Sequence, residues 1–250
     1  MLKMSEAAVT IEGWYCLHDF RTVDWTGLQQ ASAKERKRAL AELKQLLTDY
    51  TAVEATKSGS TAVYSIVGQK ADLLFMHLRE TMVELEALEL GLNKSAIGRY
   101  LIPAYSFVSI VELSNYMTPP GTDPMEVPEI AARLKPILPK TNHICFYPMD
   151  KRREGNDNWY SLDLETRKNL MKSHGMTGRK YAGLVRQIVT GSVGFDDWEW
   201  GVTLFADDSL QFKKIVYEMR FDEVSARYGE FGEFFVGNRF DADRVDTYFA

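Results

Sequence analysis

The sequence predicts an α+β protein in which one ferredoxin-like unit occurs twice. Three observations carry that expectation. Both halves of the chain read β-α-β-β-α-β, the order of the ferredoxin-like unit. A turn-rich segment, TPPGTDPMEVPE (Thr118 to Glu129), separates them with four prolines and a glycine, more than a helix interior or a central strand tolerates. AVYSIVGQKADLLFMHLRETM in the first half also aligns by eye with WGVTLFADDSLQFKKIVYEMR in the second. Duplication of such a unit brings two sheets together in one chain, with the core between sheets and the helices outside. The halves are then residues 1–117 and 140–250, with 118–139 a proline-rich linker and short helix.

The first half opens with VTIEGWYCLHDF (Val9 to Phe20), a strand by its apolar and β-branched content. The spacing then predicts one long helix from about Asp24 to Tyr50, with Leu40, Leu43, Leu46 and Leu47 on one face. TAVEATKSGSTAVYSIVG reads as a hairpin around Ser58-Gly59-Ser60. A second helix is expected over Asp72 to about Leu90, its stripe including Leu74, Leu78, Met82 and Leu85, and YSFVSIVEL (Tyr105 to Leu113) closes the half as a strand. In the second half NHICFYPMD is a strand. SLDLETRKNLMKSHG is a helix with Ser161 as N-cap, acids in its first turn and Gly175 at its end. LVRQIVTGS and WEWGVTLFA pair as strands, Asp208 to Met219 is a helix, and VSARYGEFGEFFVG supplies the last strand or two.

Composition is that of an ordinary soluble chain: 45% of the 250 residues are hydrophobic and 26% charged, with no run of 18 apolar residues. A net charge of −5 speaks against general nucleic-acid binding. The start, MLKMSEAAVTIEGW, has no apolar leader pattern. Cys16 and Cys145 both fall in apolar runs, which predicts buried reduced thiols and a cytoplasmic protein.

The sequence contains no phosphate-binding loop, GxSxG or HExxH pattern, and no GxGxxG follows a strand. The candidates for chemistry are single residues on apolar faces. His174 shares a helix face with Leu164 and Met171. It is either a histidine favoured near a helix C-terminus by the helix dipole, or an axial metal ligand beside a flat cofactor. No second histidine lies three or four residues away, so a multi-histidine zinc or di-iron site is unsupported. Haem iron, with four ligands from the porphyrin, needs only one. Gln187 alternates with Val185 and Val189, so it either bonds locally or aims a polar group into a ligand cavity. In CFYPMDKRR, Tyr147, Met149 and Lys151 fall at period two. They put a phenol, a thioether and an ammonium on one strand face, a set that suits an amphipathic ligand with a carboxylate. Arg133, in EIAARLKPIL, is a second candidate cation; Arg133 and Lys151 are otherwise simply solvated, and KERKR (Lys34 to Arg38) reads as a solvated helix face.

Four segments, YPMDKRR, MKSHGMTGRKYAG, VRQIVTGSVGFDDWEWGVTLFADD and RYGEFGEFFVG, resemble the coproheme decarboxylases of the chlorite dismutase-like superfamily, and the likeness extends over nearly the whole chain. The resemblance implies a duplicated ferredoxin-like dimeric α+β barrel, assembled as a homopentamer, with haem in the C-terminal half. It places the iron ligand at His174, the redox-active tyrosine at Tyr147, and propionate contacts along Tyr147, Pro148, Met149, Asp150 and Lys151. Further substrate contacts fall on Arg133, Gln187 and Ser225. Chlorite dismutases carry a distal arginine where this chain has Gln187, a departure that favours decarboxylation over chlorite decomposition. The implied reaction converts two propionates of Fe-coproporphyrin III (coproheme) to vinyl groups with hydrogen peroxide, through a Tyr147 radical, giving haem b. Coproheme is then both substrate and redox cofactor. A haem carrier, or a haem peroxidase or chlorite dismutase-like enzyme on the same fold, are the alternative readings. The implied partners are coproheme, peroxide and, transiently, coproporphyrin ferrochelatase.

Overall fold

A computed structural model describes residues 6–114 and 126–250. In the first half β1 (Thr10–Val23) is followed by α1 (Trp25–Gln30) and α2 (Ala33–Ala52), then β2 (Gly59–Val67), β3 (Leu73–Arg79), α3 (Met82–Lys94) and β4 (Leu101–Ser114). Three expectations need correction here. The single long helix is split at Ser32, whose backbone N–H donates to Glu35 Oε2 (3.0 Å) while its Oγ accepts from the Glu35 N–H (3.2 Å). That capping box restarts the helix after a break. No hairpin forms at Ser58-Gly59-Ser60: α2 unwinds through a 3-10 turn and a left-handed Lys57 (φ 54°) directly into β2. Asp72 to Leu90 is not one helix either. LLFMHLR is a strand buried along its whole length, and Thr81 and Glu84 form a second capping box that starts α3.

The second half runs α4 (Pro128–Leu134), β5 (His143–Lys151), a short hairpin of β6 (Arg153–Glu154) and β7 (Asp157–Asn158), α5 (Leu164–Arg179), β8 (Arg186–Gly191) and β9 (Trp200–Ala206). It ends with α6 (Leu210–Met219), β10 (Gly229–Phe231), β11 (Phe235–Arg239) and α7 (Val245–Tyr248). Asp163, not Ser161, caps α5, accepting from the Thr166 N–H at 2.9 Å, and the helix continues a turn beyond Gly175. Most of the turn-rich segment Thr118 to Glu129 lies outside the described residues. Among those described, no helix is long and apolar enough to cross a membrane.

The strands order themselves β10-β5-β11-β2-β3-β1-β4-β8-β9, and β9 pairs back onto β5, so the antiparallel sheet closes on itself. Within it the first half contributes β2-β3-β1-β4 and the second β11-β5-β9-β8, the same order in each. The pairs β4–β8 and β11–β2 join them. Closure removes most of the exposed edges that two open sheets would carry.

Alternation then sorts side chains to two faces. On β5, Ile144 and Phe146 turn into the barrel with Trp14, Phe20, Phe107 and Phe205, while Cys145 and Tyr147 turn outward. His18 lies inside, stacked on Phe146 with ring centroids 4.1 Å apart, and burial lowers its imidazole to about 3. Both cysteines are free and buried, and burial pushes each thiol up to about 12. The two outer faces differ. In the first half α2 seats Leu43, Leu47 and Tyr50 against the sheet. In the second half α6 seats Phe212 and Ile215, but α5 buries no residue except Arg167. A helix that does not fill the sheet face beneath it leaves room for something else.

Candidate functional site

That room is a cavity of about 540 Å³ between the outer face of the second-half strands and the helices α5 and α6. Its size is in the range of small-molecule and cofactor sites. The sheet wall presents Tyr147, Met149 and Lys151 from β5, Gln187 and Val189 from β8, and Trp200, Val202 and Leu204 from β9. The helix wall presents Arg167, Met171 and His174 from α5, with Met219 and Arg220 from the end of α6. The segment at Ala7, Ala8 and Thr10 borders one side, together with Glu112 and Ser114 at the end of β4.

His174 is held in place. Its Nδ1 lies 2.6 Å from Oδ2 of Asp222, whose side chain is only 5% exposed. Asp222 in turn accepts from the backbone N–H (3.2 Å) and Oγ (3.3 Å) of Ser225. A carboxylate only accepts, so this contact keeps the proton on Nδ1 and leaves the Nε2 lone pair as the ring's free donor to a ligand. The pattern of a ligating imidazole oriented by a buried carboxylate is a common second layer of metal sites. Among the described residues no group of three or more His, Cys, Asp and Glu side chains could hold a metal by itself. A metal bound here through His174 must bring its other ligands, as a metalloporphyrin does.

Tyr147 is 8% exposed and stacks on Phe234 (centroids 4.4 Å, interplanar 22°), with Phe231 tilted against it at 5.9 Å. Burial raises its phenol well above the ordinary range, so it stays protonated. Lys151, 9% exposed, places its ammonium 5.0 Å over the Trp159 ring. Burial pushes it down to about 8, against the opposing pull of Asp222 and Glu199. Trp200 Nε1 donates to Glu112 Oε1 at 3.2 Å, and Gly191 makes space for that carboxylate, since a Cβ there would lie 2.4 Å from it.

Tyr147, Met149, Lys151, His174, Gln187 and Ser225 therefore line one cavity. Arg133, Pro148 and Asp150 do not. Pro148 and Asp150 alternate to the other side of β5, where the Pro148 carbonyl accepts from Gly232 N–H and Asp150 accepts from Glu199 N–H at 2.7 Å. Arg133 is exposed on α4, which faces β1 and β4 through Ile130 and Leu134. Ser225 lines the cavity, but its hydroxyl already donates to Asp222. Sequence reasoning missed Asp222, Arg167, Trp159 and Arg220. Arg167 carried a signal, since it precedes Met171 and His174 at helical spacing; Asp222, 48 residues from His174, carried none.

The sequence matches the chlorite dismutase family over residues 36–240. The chain belongs to that family. A structure described as a novel heme-binding protein from Thermus thermophilus shares 50% identity with it at a TM-score of 0.93, covering 98% of each chain. A chlorite dismutase variant from Candidatus Nitrospira defluvii superimposes with a TM-score of 0.76 over 95% of each chain at 18% identity, a likeness of fold. The duplicated ferredoxin-like architecture is thus that of the chlorite dismutase family.

Proposed function

We propose that this member of the chlorite dismutase family binds coproheme and uses hydrogen peroxide to decarboxylate two of its propionates, giving haem b. The observation that carries the proposal is one cavity with a carboxylate-oriented histidine on its helix wall and a buried phenol beside an ammonium on its sheet wall. The heme-binding relative at 50% identity supports the tetrapyrrole part. The residues fit the group: the lining is mainly apolar, with Lys151, Arg167 and Arg220 available to the carboxylates at its rim. A bound iron porphyrin would supply the two-electron chemistry with peroxide.

In this reading His174 ligates, and Asp222 sets its tautomer and basicity. Tyr147 gives up its phenolic hydrogen and takes one back from the propionate β-carbon. Each round is balanced: a propionate and a proton react with one peroxide to leave a vinyl group, carbon dioxide and two waters. Lys151 holds a propionate near the phenol. Gln187 is a neutral amide and cannot meet developing anionic oxygen as a guanidinium does, which argues against chlorite as substrate. A cytoplasmic homopentamer, meeting a ferrochelatase transiently, belongs to the same proposal.

The test compares wild type with Tyr147→Phe. The ring and its stack on Phe234 remain, so fold and coproheme binding should persist. Wild type should yield haem b by mass spectrometry after peroxide addition, and the variant should leave all four propionates. Haem b at the wild-type rate in the variant would transfer the relay to another group, Tyr160 being the other tyrosine among the described residues of the wall.

A further inference from the structure

Three arginines are buried among the described residues, and two of them are fully accounted for. Arg21 pairs with Asp19 at 2.6 Å and donates to Asn93. Arg79 donates to the carbonyls of Tyr50, Ser60 and Leu78 and to Thr61 Oγ1. Arg167 is different. It is 7% exposed, yet its one acceptor among the described residues is the Glu6 carbonyl, which takes a hydrogen bond from Nη2. Its Nε is sealed from solvent with no acceptor among the described residues, and no described carboxylate forms an ion pair with it. A guanidinium has five N–H donors and keeps its charge in proteins, and a buried charge without a counter-ion is costly.

Its position says what the counter-ion is. Arg167 lies seven residues before His174 on α5, with Met171 between, so the three share a helix face about 10 Å long. All three line the cavity. A tetrapyrrole whose core sits over His174 is flat, largely apolar and carboxylated at its rim, and its reach matches that span. We infer that Arg167 is a carboxylate-binding residue of this cavity, receiving a propionate of the tetrapyrrole from the α5 side as Lys151 does from the sheet side. The inference rests on the tetrapyrrole reading of the cavity. Glu6 fixes one end of the guanidinium, and the remaining Nη donors are left for the carboxylate.

The experiment is a Soret titration of wild type, Arg167→Met and Arg167→Lys with Fe-coproporphyrin III and, in the same detergent, with its tetramethyl ester. For Arg167→Met, affinity for the acid should fall roughly ten- to a hundredfold while affinity for the ester is unchanged. The apo-protein should melt at the same or a higher temperature, because an unpaired buried charge has been replaced by an apolar chain of similar length. Arg167→Lys should recover part of the acid affinity. Unchanged acid affinity in Arg167→Met, or equal losses for acid and ester, would make Arg167 a packing residue and overturn the inference. So would Arg167→Lys binding no better than Arg167→Met. Wild type that binds neither porphyrin removes the tetrapyrrole reading along with it, whereas normal binding by wild type and Arg167→Met alike removes Arg167 alone.

Discussion

Lys151 carries a charge that its surroundings make conditional. Burial holds its ammonium down to about 8, from an ordinary 10.5, so the apo-protein has a neutral amine above that point. Coproheme affinity should therefore fall as pH rises through about 8, and Lys151→Met should flatten the step. A wild-type profile already flat there would take Lys151 out of carboxylate binding. The stability linkage has the opposite sign: the folded value lies below the unfolded one, so the cost of burying the ammonium is full below about 8 and relieved as pH rises towards 10.5. Asp222 is tested through His174. Asp222→Asn removes the anionic partner at 2.6 Å, and porphyrin iron affinity should drop roughly 10- to 100-fold, with a lower iron–histidine stretching frequency. An unchanged stretch would mean that Asp222 does not tune the iron ligand. At this scale period two made the shared face of Tyr147, Met149 and Lys151 legible, and the same rule turns Pro148 and Asp150 to the other side of β5. Arg167 was passed over despite its helical spacing to Met171 and His174, because a charged helix residue is read as solvated by default.

Elements were legible where one period dominated and illegible where two signals overlapped. The strands β1, β4, β5, β8 and β9 and the helix α6 follow their patterns closely. LLFMHLR misled because a continuous apolar run serves a strand buried on both faces as well as a helix. The capping boxes at Ser32-Glu35 and Thr81-Glu84 were the signals that could have arbitrated, since each marks a helix start inside a segment otherwise read as continuous. Ser32→Ala should thus lower the unfolding free energy by about 1 kcal/mol while leaving porphyrin binding unchanged. Equal denaturation midpoints for the two proteins would show that the box carries no weight. The helix α5 shows the limit of such reading. Its sequence marks a helix, but not that it stands off the sheet, because that depends on what the facing strands leave unfilled.

On the scale of the molecule, duplication was visible in the repeated element order, while closure of the barrel was not. Closure depends on the pairs β4–β8 and β11–β2, which join strands from different halves and whose register no local pattern records. The two halves then diverge in use. One outer face is packed solid by α2; the other is open beneath α5 and lined with a phenol, cations and a fixed imidazole. The proposed decarboxylase, rather than a carrier or a peroxidase, would use this asymmetry. The most direct measurement titrates peroxide into the wild-type protein loaded with coproheme, following porphyrin mass and carbon dioxide together. Decarboxylation should release two carbon dioxide molecules for two peroxides consumed per porphyrin, with haem b as the product. Peroxide consumed, or none consumed, with the porphyrin mass unchanged would contradict it.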